Sequence, residues 1–182
     1  MALKSTIFKA ELSVADISRG RYGDYALTLA RHPSETDERM MVRLMAFALH
    51  ASDTLAFGRG LSTEDEPDIW QRSLTGEIEL WVDVGLPDEK DVRKACGRAR
   101  QVYVYAYGGR AVNLWWSKAR DKLEALPRLA VSEVAPEASQ ALAAMAARSM
   151  RINCTMQEGS ILFADALSSV STDLIALKSA AA

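Results

Sequence analysis

The order of hydrophobic and polar positions predicts strands and helices in alternation. Residues 4–15 and 25–31 each alternate between apolar and polar side chains. Successive side chains of a strand point to opposite faces, so these two stretches predict an N-terminal β-hairpin around a turn region at 19–23. Leu55–Leu61 predicts a short strand, and Ser62–Trp70 predicts an acidic loop.

A helix is predicted after His32-Pro33 and extends to about Ser52. Its apolar positions recur at the spacing of one helix face. Ser34 is the expected N-cap, and acidic residues in the opening turns favour the helix dipole. The acids are Glu35, Asp37 and Glu38, and the buried stripe comprises Met41, Leu44, Met45 and Ala48, widened by Met40, Phe47 and Leu49.

The most regular stretch is 76–108, which predicts a strand, a helix and a second strand. In the first strand every second residue is aliphatic. Gly85 to Pro87 end this strand, and Pro87 suits the first position of the helix because that position needs no N–H. The opposite face of the strand carries Glu77, Glu79, Trp81 and Asp83.

The remaining pattern completes an α/β protein. Tyr103, Tyr105 and Tyr107 share one strand face, where aromatic rows pack sheets against helices more often than they stack bases. Glu158-Gly159 is a hairpin turn signal. We predict one α/β domain over 1–182, with a mixed central sheet, flanking helices and β-hairpins at both termini. Its later elements are a helix at 113–126, a strand at 128–134, an Ala-rich helix from Pro136, hairpin strands at 151–157 and 160–164, and an edge strand at 170–177.

The composition argues against several classes of protein. The 182 residues carry a formal net charge of −2, so nucleic acid would need a local basic patch. No run reaches the roughly 18 apolar residues of a membrane span, and we expect no signal peptide. Cys96 and Cys154 stand far apart, which favours two reduced thiols in the cytoplasm. The sequence has no P-loop and no GxGxxG motif, and we expect no organic cofactor.

Carboxylates are the most concentrated reactive groups of the chain. Two or three converging oxygen ligands of this kind bind divalent cations such as Mg²⁺. The acidic strand face is either a solvated surface or the wall of a site, and Trp81 at its centre favours at least partial cover. Glu38 lies at the border of its helix stripe, where it either points into a cleft or serves the helix dipole. The candidates are Glu38, Glu66, Asp68, Glu79 and Asp83.

A line of basic residues lies on the helix that follows the acidic strand. Lys90, Lys94 and Arg98 recur at every fourth position, mostly on the side away from the predicted buried stripe. This line is either a solvated face with ordinary i, i+4 pairing or a grip for a phosphate backbone. The two histidines have no partners at useful spacing, so no Ser/His/Asp set is predicted.

Four strings of the sequence together resemble the YaeQ family of bacterial proteins. They are HPSETDERMMVRLMAFALHA from His32, EPDIW from Glu66, GEIELWVDVGLPDEKDVRKAC from Gly76 and RAVNLWW from Arg110, and the resemblance covers nearly the whole chain. The family is cytoplasmic and functionally uncharacterised. Its fold resembles a variant of the PD-(D/E)XK, or restriction-endonuclease-like, core, so the resemblance implies this variant core for the present chain.

The resemblance also implies a set of metal ligands. Glu38 matches the acid of the first core helix, and Asp83 matches the acid of the (D/E)xK element. Asp68 matches the first strand acid, although Glu66 or Glu79 could serve instead. These acids would together bind Mg²⁺.

The catalytic lysine of the motif is missing. Gly85, and not lysine, stands two residues after Asp83. In some relatives this lysine migrates to the following helix, which nominates Lys94 or Lys90. A degenerate, non-catalytic site is therefore a second interpretation.

Two functions follow from these observations. A Mg²⁺-dependent nuclease or phosphodiesterase would use Glu38, Asp68 and Asp83 as metal ligands and Lys94 to stabilise charge on phosphate. The alternative is a non-catalytic module that binds a protein or nucleic acid. The nuclease hypothesis requires that the carboxylates of Glu38, of Asp68 or Glu79, and of Asp83 come within the coordination sphere of one metal ion. In the nuclease hypothesis Glu79 assists catalysis, and Lys90 and Arg98 contact nucleic acid.

Overall fold

The computed structural model of the protein describes residues 4–60 and 65–182. Within these ranges the chain forms eleven strands and four helices, which confirms the predicted mixed α/β class. The helices are α1 (Asp37–Leu49), α2 (Glu89–Arg98), α3 (Arg110–Leu123) and α4 (Pro136–Ala144). None of these helices is long and apolar enough to cross a membrane. The strands are β1 (Thr6–Asp16), β2 (Arg21–Arg31), β3 (Leu55–Phe57), β4 (Ile69–Arg72), β5 (Ile78–Val84), β6 (Ala99–Tyr107), β7 (Leu129–Val134), β8 (Ser149–Gln157), β9 (Ser160–Ala164), β10 (Ser169–Asp173) and β11 (Ile175–Lys178).

The first sheet joins the two predicted hairpins. β1 pairs antiparallel with β2, and β8 pairs antiparallel with β9 around Glu158-Gly159. Both turn residues have positive φ, 50° and 86°, which matches the tight turns that connect such strands. A parallel pairing of β1 with β8 merges the hairpins into a five-stranded sheet in the order β10-β9-β8-β1-β2.

The second sheet carries the candidate site. Its order is β11-β7-β6-β5-β4-β3. β5, β6 and β7 are parallel because α2 and α3 return the chain between them, whereas β3, β4 and β11 pair antiparallel at the edges. The protein thus has two mixed sheets where the sequence pattern predicted one mixed central sheet with separate hairpins.

Helix α1 lies between the two sheets, and this position explains why it is buried on every side. One hydrophobic core joins both sheets to α1 and α4, and Tyr103, Tyr105 and Tyr107 pack in or against it. A second core packs α2 and α3 against the other face of the six-stranded sheet. The predicted α1 stripe is confirmed, but the buried part is continuous from Met40 to Ala48 and includes the charged Arg43.

Two helices begin later than predicted. The side chain of Thr36 accepts the N–H of Arg39, so Thr36 and not Ser34 is the N-cap of α1. Asp88 caps α2, and Pro87 therefore precedes the helix instead of occupying its first position. In both cases the side-chain oxygen that reaches a free backbone N–H fixes the start of the helix.

Two further stretches differ from the predicted strands. β4 occupies the end of the predicted acidic loop because Ile69 pairs with Val82 of β5. The predicted edge strand at 170–177 is interrupted at Leu174, and its halves, β10 and β11, belong to different sheets. Residue 61 of the predicted strand and residues 62–64 of the predicted loop lie outside the described residues.

Candidate functional site

Two carboxylates meet where β4 begins and β5 ends. Ile69 pairs with Val82, and one residue further along this ladder Asp68 stands opposite Asp83. The backbone N–H of Asp68 donates a hydrogen bond to the Asp83 carboxylate. Asp83 is therefore placed by β5 itself, and Asp68 is placed by the first residue of β4, which follows it directly and pairs with β5.

A close backbone approach fixes the start of β4. The N–H of Gly58 donates to the Asp68 carbonyl at 2.9 Å. A Cβ at Gly58 would lie 1.9 Å from the Pro67 carbonyl oxygen, so only glycine fits at this position. Gly58 thus helps to place Asp68.

The two acids face a cavity of about 430 Å³. Arg39 of α1 lines one side, and Lys94 and Arg98 of α2 line another. The cavity therefore combines acidic and basic side chains at the end of a strand pair. Its other lining residues include Gly60, Asp65, Glu66, Trp81, Gly85, Leu86, Pro87, Asp91 and Tyr107.

Asp68 is tied into a chain of ion pairs at the start of α1. Nη2 of Arg39 donates to both Asp68 carboxylate oxygens, at 2.8 and 2.9 Å, and the Val84 N–H donates to the same carboxylate at 2.8 Å. Nη1 of Arg39 donates to Glu35 at 3.0 Å, and Glu35 also accepts two hydrogen bonds from the buried Arg43. Each buried charge in this chain has an opposite charge beside it.

The sequence pattern did not identify this network. The pattern assigns Glu35 only to the helix dipole and assigns no role to Arg39 or Arg43. A signal was present, because Glu35, Arg39 and Arg43 recur at every fourth position and Arg43 lies within residues 40–49, which are otherwise apolar. Charges embedded in a buried stripe are rarely left unpaired.

Asp83 has an unusual protonation behaviour. Burial raises its pKa to about 7, and the neighbouring charge of Asp68 adds to the increase. Hydrogen bonds from the Trp81 Nε1–H, at 2.8 Å, and from the Asp68 N–H act in the opposite direction, as does the charge of Arg39. A carboxyl group of this kind exchanges its proton near neutral pH, which is common at functional sites.

Two of the three residues in the basic line on α2 line the cavity. Lys94 and Arg98 are exposed on their outer sides and line the cavity, whereas Lys90 does not line it. The Arg98 guanidinium lies 5.2 Å from the centroid of the Trp81 ring and donates to the Asp65 carbonyl at 3.1 Å. Among the described residues, no hydrogen bond or ion pair engages the Lys94 ammonium.

The other predicted acids are placed differently. The Ser139 hydroxyl donates to Glu38 at 2.6 Å, and the Gln71 amide donates to Glu79 at 2.9 Å, and neither acid lines the cavity. Glu66 does line it and accepts the Arg59 N–H. In the part of the chain that the structure describes, no group of three or more His, Cys, Asp or Glu side chains is placed to hold a metal ion. The metal roles of these residues stay predictions.

Fold and cavity together define an α/β protein of two mixed sheets with a charged cleft at the β4–β5 edge. The family model "YaeQ protein" matches residues 1–174, and the chain belongs to the YaeQ family. It is 45% identical over 176 residues to "Uncharacterized protein YaeQ" of Salmonella typhi and 42% identical to that of Escherichia coli (strain K12), with 97% of each chain covered in both comparisons.

Two crystal structures of YaeQ proteins have the same fold. The protein from Xanthomonas axonopodis pv. citri is similar with a TM-score of 0.93 and 46% identity, over 96% of the present chain and 99% of that chain. The protein from Pseudomonas syringae has a TM-score of 0.92 and 34% identity, over 96% and 97% of the respective chains. The present chain therefore shares its fold with both proteins over most of its length.

Proposed function

We propose that the cleft is a Mg²⁺-dependent phosphodiesterase site that acts on nucleic acid, built on a variant restriction-endonuclease-like core. The main support is that Asp68, in Pro67-Asp68 just before β4, and Asp83 of β5 line one cavity and are joined by a hydrogen bond from the Asp68 N–H to the Asp83 carboxylate. Lys94 lines the same cavity. Two acids and a nearby cation are the groups that phosphodiester cleavage requires.

The two carboxylates fit the protein's share of a Mg²⁺ site. Such ions keep several waters and commonly take only one or two carboxylates, together with phosphate oxygens of the substrate. The repulsion from Asp68 that helps to raise the pKa of Asp83 is the kind of interaction that a divalent cation offsets. Asp68 and Asp83 are therefore the proposed ligands, and Glu38 would have to leave Ser139 to join them.

Mg²⁺, when bound, would polarise the phosphate and activate a water molecule. Lys94 is proposed to hold a non-bridging phosphate oxygen, in the role left open by Gly85. Its ammonium suits this role because it lines the cavity without an ion pair among the described residues. Arg98, which is held against Trp81, and Lys90 are proposed to contact the phosphates on either side.

A smaller role is proposed for Glu79. Its bond from Gln71 links β5 to β4, and Gln71 in turn accepts a hydrogen bond from Ser52. Glu79 therefore supports the strand pair that carries the two acids. Removing it is expected to affect the position of Asp68 and Asp83 more than the chemical step.

A second candidate is a non-catalytic module that binds phosphate groups. Arg39 already neutralises Asp68, and Gly85 stands where the motif lysine would be. In this alternative Lys94 and Arg98 bind nucleic acid without cleavage.

Titration calorimetry with Mg²⁺ and Mn²⁺ tests the first proposal. We expect measurable heats for the wild type and none for Asp83→Ala. Glu77→Ala is the matched control, because Glu77 is an exposed acid of the same stretch that pairs with Arg100 outside the cavity. Equal, negligible heats in the wild type and Asp83→Ala would contradict a metal site.

A cleavage assay with labelled oligonucleotides separates the two candidates. The phosphodiesterase proposal predicts metal-dependent cleavage that is lost in Asp83→Ala and reduced by about 10²-fold or more in Lys94→Ala. The binding module predicts no cleavage, with binding that survives Asp83→Ala and weakens in Lys94→Ala.

A further inference from the structure

A second cavity, of about 250 Å³, lies at the opposite end of α1. The turn after β1 and the β8–β9 hairpin approach it from the five-stranded sheet, and β6 approaches it from the six-stranded sheet. Leu174, which connects β10 to β11, also lines it. We call it the seam cavity, because it lies where the two sheets meet. Small-molecule sites occur preferentially at junctions of this kind.

The floor of the seam cavity is polar but uncharged. His50 Nε2 lies 2.6 Å from the Tyr105 hydroxyl, and the His50 ring lies 4.4 Å from the ring of Tyr103. Burial lowers the pKa of His50 to about 4 and raises the pKa of Tyr105 above its ordinary range. At neutral pH the floor therefore offers hydrogen-bonding groups and aromatic faces without a charge.

The charges of the seam cavity lie at the last residue of β1 and in the turn that follows it. The Asp16 carboxylate is 7% exposed and accepts the Arg19 N–H at 3.1 Å, and the Arg19 guanidinium lies 3.6 Å from it. The Arg19 side chain is 63% exposed, and its positive charge acts on both His50 and Tyr105. A guanidinium has five N–H donors, so Arg19 retains donors that can face the cavity.

The remaining wall is apolar. Leu49, Ile161 and Leu174 contribute aliphatic side chains, and Met156 contributes a flexible thioether. A ligand that fills this space needs a flat or compact apolar body. The volume is below the roughly 300–1,000 Å³ of sites for drug-sized molecules, so the ligand is smaller than these.

We propose that the seam cavity binds a small organic acid with an aromatic or aliphatic body. Its carboxylate would pair with Arg19, and its body would lie between the tyrosine rings and the aliphatic wall. An acid fits better than an amine because the Arg19 guanidinium is the exposed charge, whereas the Asp16 carboxylate that lies beside it is buried. The seam cavity is a different site from the cleft of Asp68 and Asp83.

Ligand titrations of the full chain, followed by protein-observed NMR, test this proposal. Benzoate and 3-phenylpropanoate are the acidic probes, and benzylamine and benzyl alcohol are matched controls of similar size. We expect at least one acid to bind tenfold or more tightly than benzylamine, with shifts confined to residues of the seam cavity. No saturable shift with either acid, or equal binding of the amine, would overturn the proposal.

Two variants locate the site. Arg19→Gln should weaken binding of the acid about tenfold or more, whereas Arg21→Gln, an exposed arginine that does not line the cavity, should leave it unchanged. Leu174→Trp should abolish binding of the acid because the larger side chain fills the seam cavity. The midpoint of its urea unfolding curve verifies that this variant folds. Unchanged affinity in Arg19→Gln would contradict the assignment even if Leu174→Trp fails to fold.

Discussion

The buried polar side chains at the two ends of helix α1 interact in different ways, by ion pairs at one end and by a hydrogen bond at the other. At the start of the helix, Glu35, Arg39 and Arg43 lie in one ion-pair chain with Asp68. At its end, His50 is neutral and shares a single hydrogen bond with Tyr105. Both ends lie in the same layer between the sheets, so the difference comes from the partners and not from depth alone.

The relative sizes of the desolvation, ion-pair and helix-dipole energies explain this difference. The desolvation of an unpaired charge costs several kcal/mol per ion, and close opposite charges offset that loss. The helix dipole would favour a charged histidine at the C-terminus, but by only about 0.3–2 kcal/mol. Burial therefore keeps His50 neutral, whereas the ion pair with Glu35 offsets the desolvation of Arg43. The start of α1 thus holds paired ions, and its end holds a hydrogen-bonded pair of neutral side chains.

Loss of Arg43 is the strongest test of the charged end. Arg43→Ala leaves Glu35 with one cationic partner and opens a cavity in the core, because the Arg43 side chain is 2% exposed. Breaking a buried pair of this kind typically costs about 3–5 kcal/mol. We expect a loss of that order in the free energy of unfolding, measured by urea denaturation.

Arg151→Ala is the control for this change. Arg151 pairs with Glu11 at 2.8 Å, but its side chain is 86% exposed. A surface pair contributes about 0–1 kcal/mol. Similar losses in the free energy of unfolding for Arg43→Ala and Arg151→Ala would show that the buried ion pair stabilises the protein no more than a surface pair does.

The fold was more predictable than the charged network. Period-two alternation predicted both hairpins and β5, and helical spacing predicted α1, because burial of one face imposes these periods on the sequence. The division into two sheets was not predicted. It depends on the β1–β8 pairing between residues about 140 positions apart, and local periodicity carries no information on such a contact.

The candidate site was predictable in part. Asp68, Asp83, Lys94 and Arg98 were selected from the sequence and line one cavity in the structure. Helix arithmetic placed Lys94 away from the buried stripe, yet a residue at the border of a helix face can still line a cleft beside it. Arg39 was missed because its partner Asp68 lies 29 positions away.

Asp83 gives the charged end a pH dependence of defined sign. Its pKa is about 7 in the folded protein and 3.8 is the ordinary value, so the folded state holds more protons between these pH values. The contribution of Asp83 to stability is therefore full below about pH 4 and is lost as the pH rises through 7. As the pH rises from 5 to 8, we expect the free energy of unfolding of Asp83→Asn to increase by on the order of 2 kcal/mol relative to that of the wild type. Urea denaturation of both proteins at the two pH values measures this difference.

Glu77→Gln is the control for this pH comparison. Glu77 is exposed and pairs with Arg100, so its removal should leave the pH dependence of unfolding unchanged. The same slope in Asp83→Asn and the wild type would contradict the raised pKa.

His50 should produce the opposite slope at the other end of α1. Its pKa is about 4 in the folded protein against an ordinary 6.5, so the unfolded state holds more protons between these values. Its contribution is therefore full above pH 6.5 and is lost as the pH falls through 4. Relative to the wild type, His50→Gln should gain roughly 1–2 kcal/mol of stability as the pH falls from 7 to 4.5.

An NMR titration of the His50 ring provides an independent measurement. The ring protons should not shift above about pH 5, since burial keeps the imidazole neutral. A transition near pH 6.5 would show that His50 titrates as an exposed residue, and the contrast between the two ends would then fail.

The smallest effect concerns the cap at the charged end. Thr36 accepts the Arg39 N–H at 3.1 Å, so Thr36→Ala leaves one free N–H at the first turn of α1. Loss of an N-cap typically costs about 1 kcal/mol. Ser34→Ala, at the N-cap position that the sequence pattern favoured, should change stability by less than about 0.5 kcal/mol, because Ser34 is exposed and its hydroxyl contacts only His32 among the described residues. A larger loss in Ser34→Ala than in Thr36→Ala would place the start of α1 two residues earlier, and Glu35 would then belong to the helix instead of preceding it.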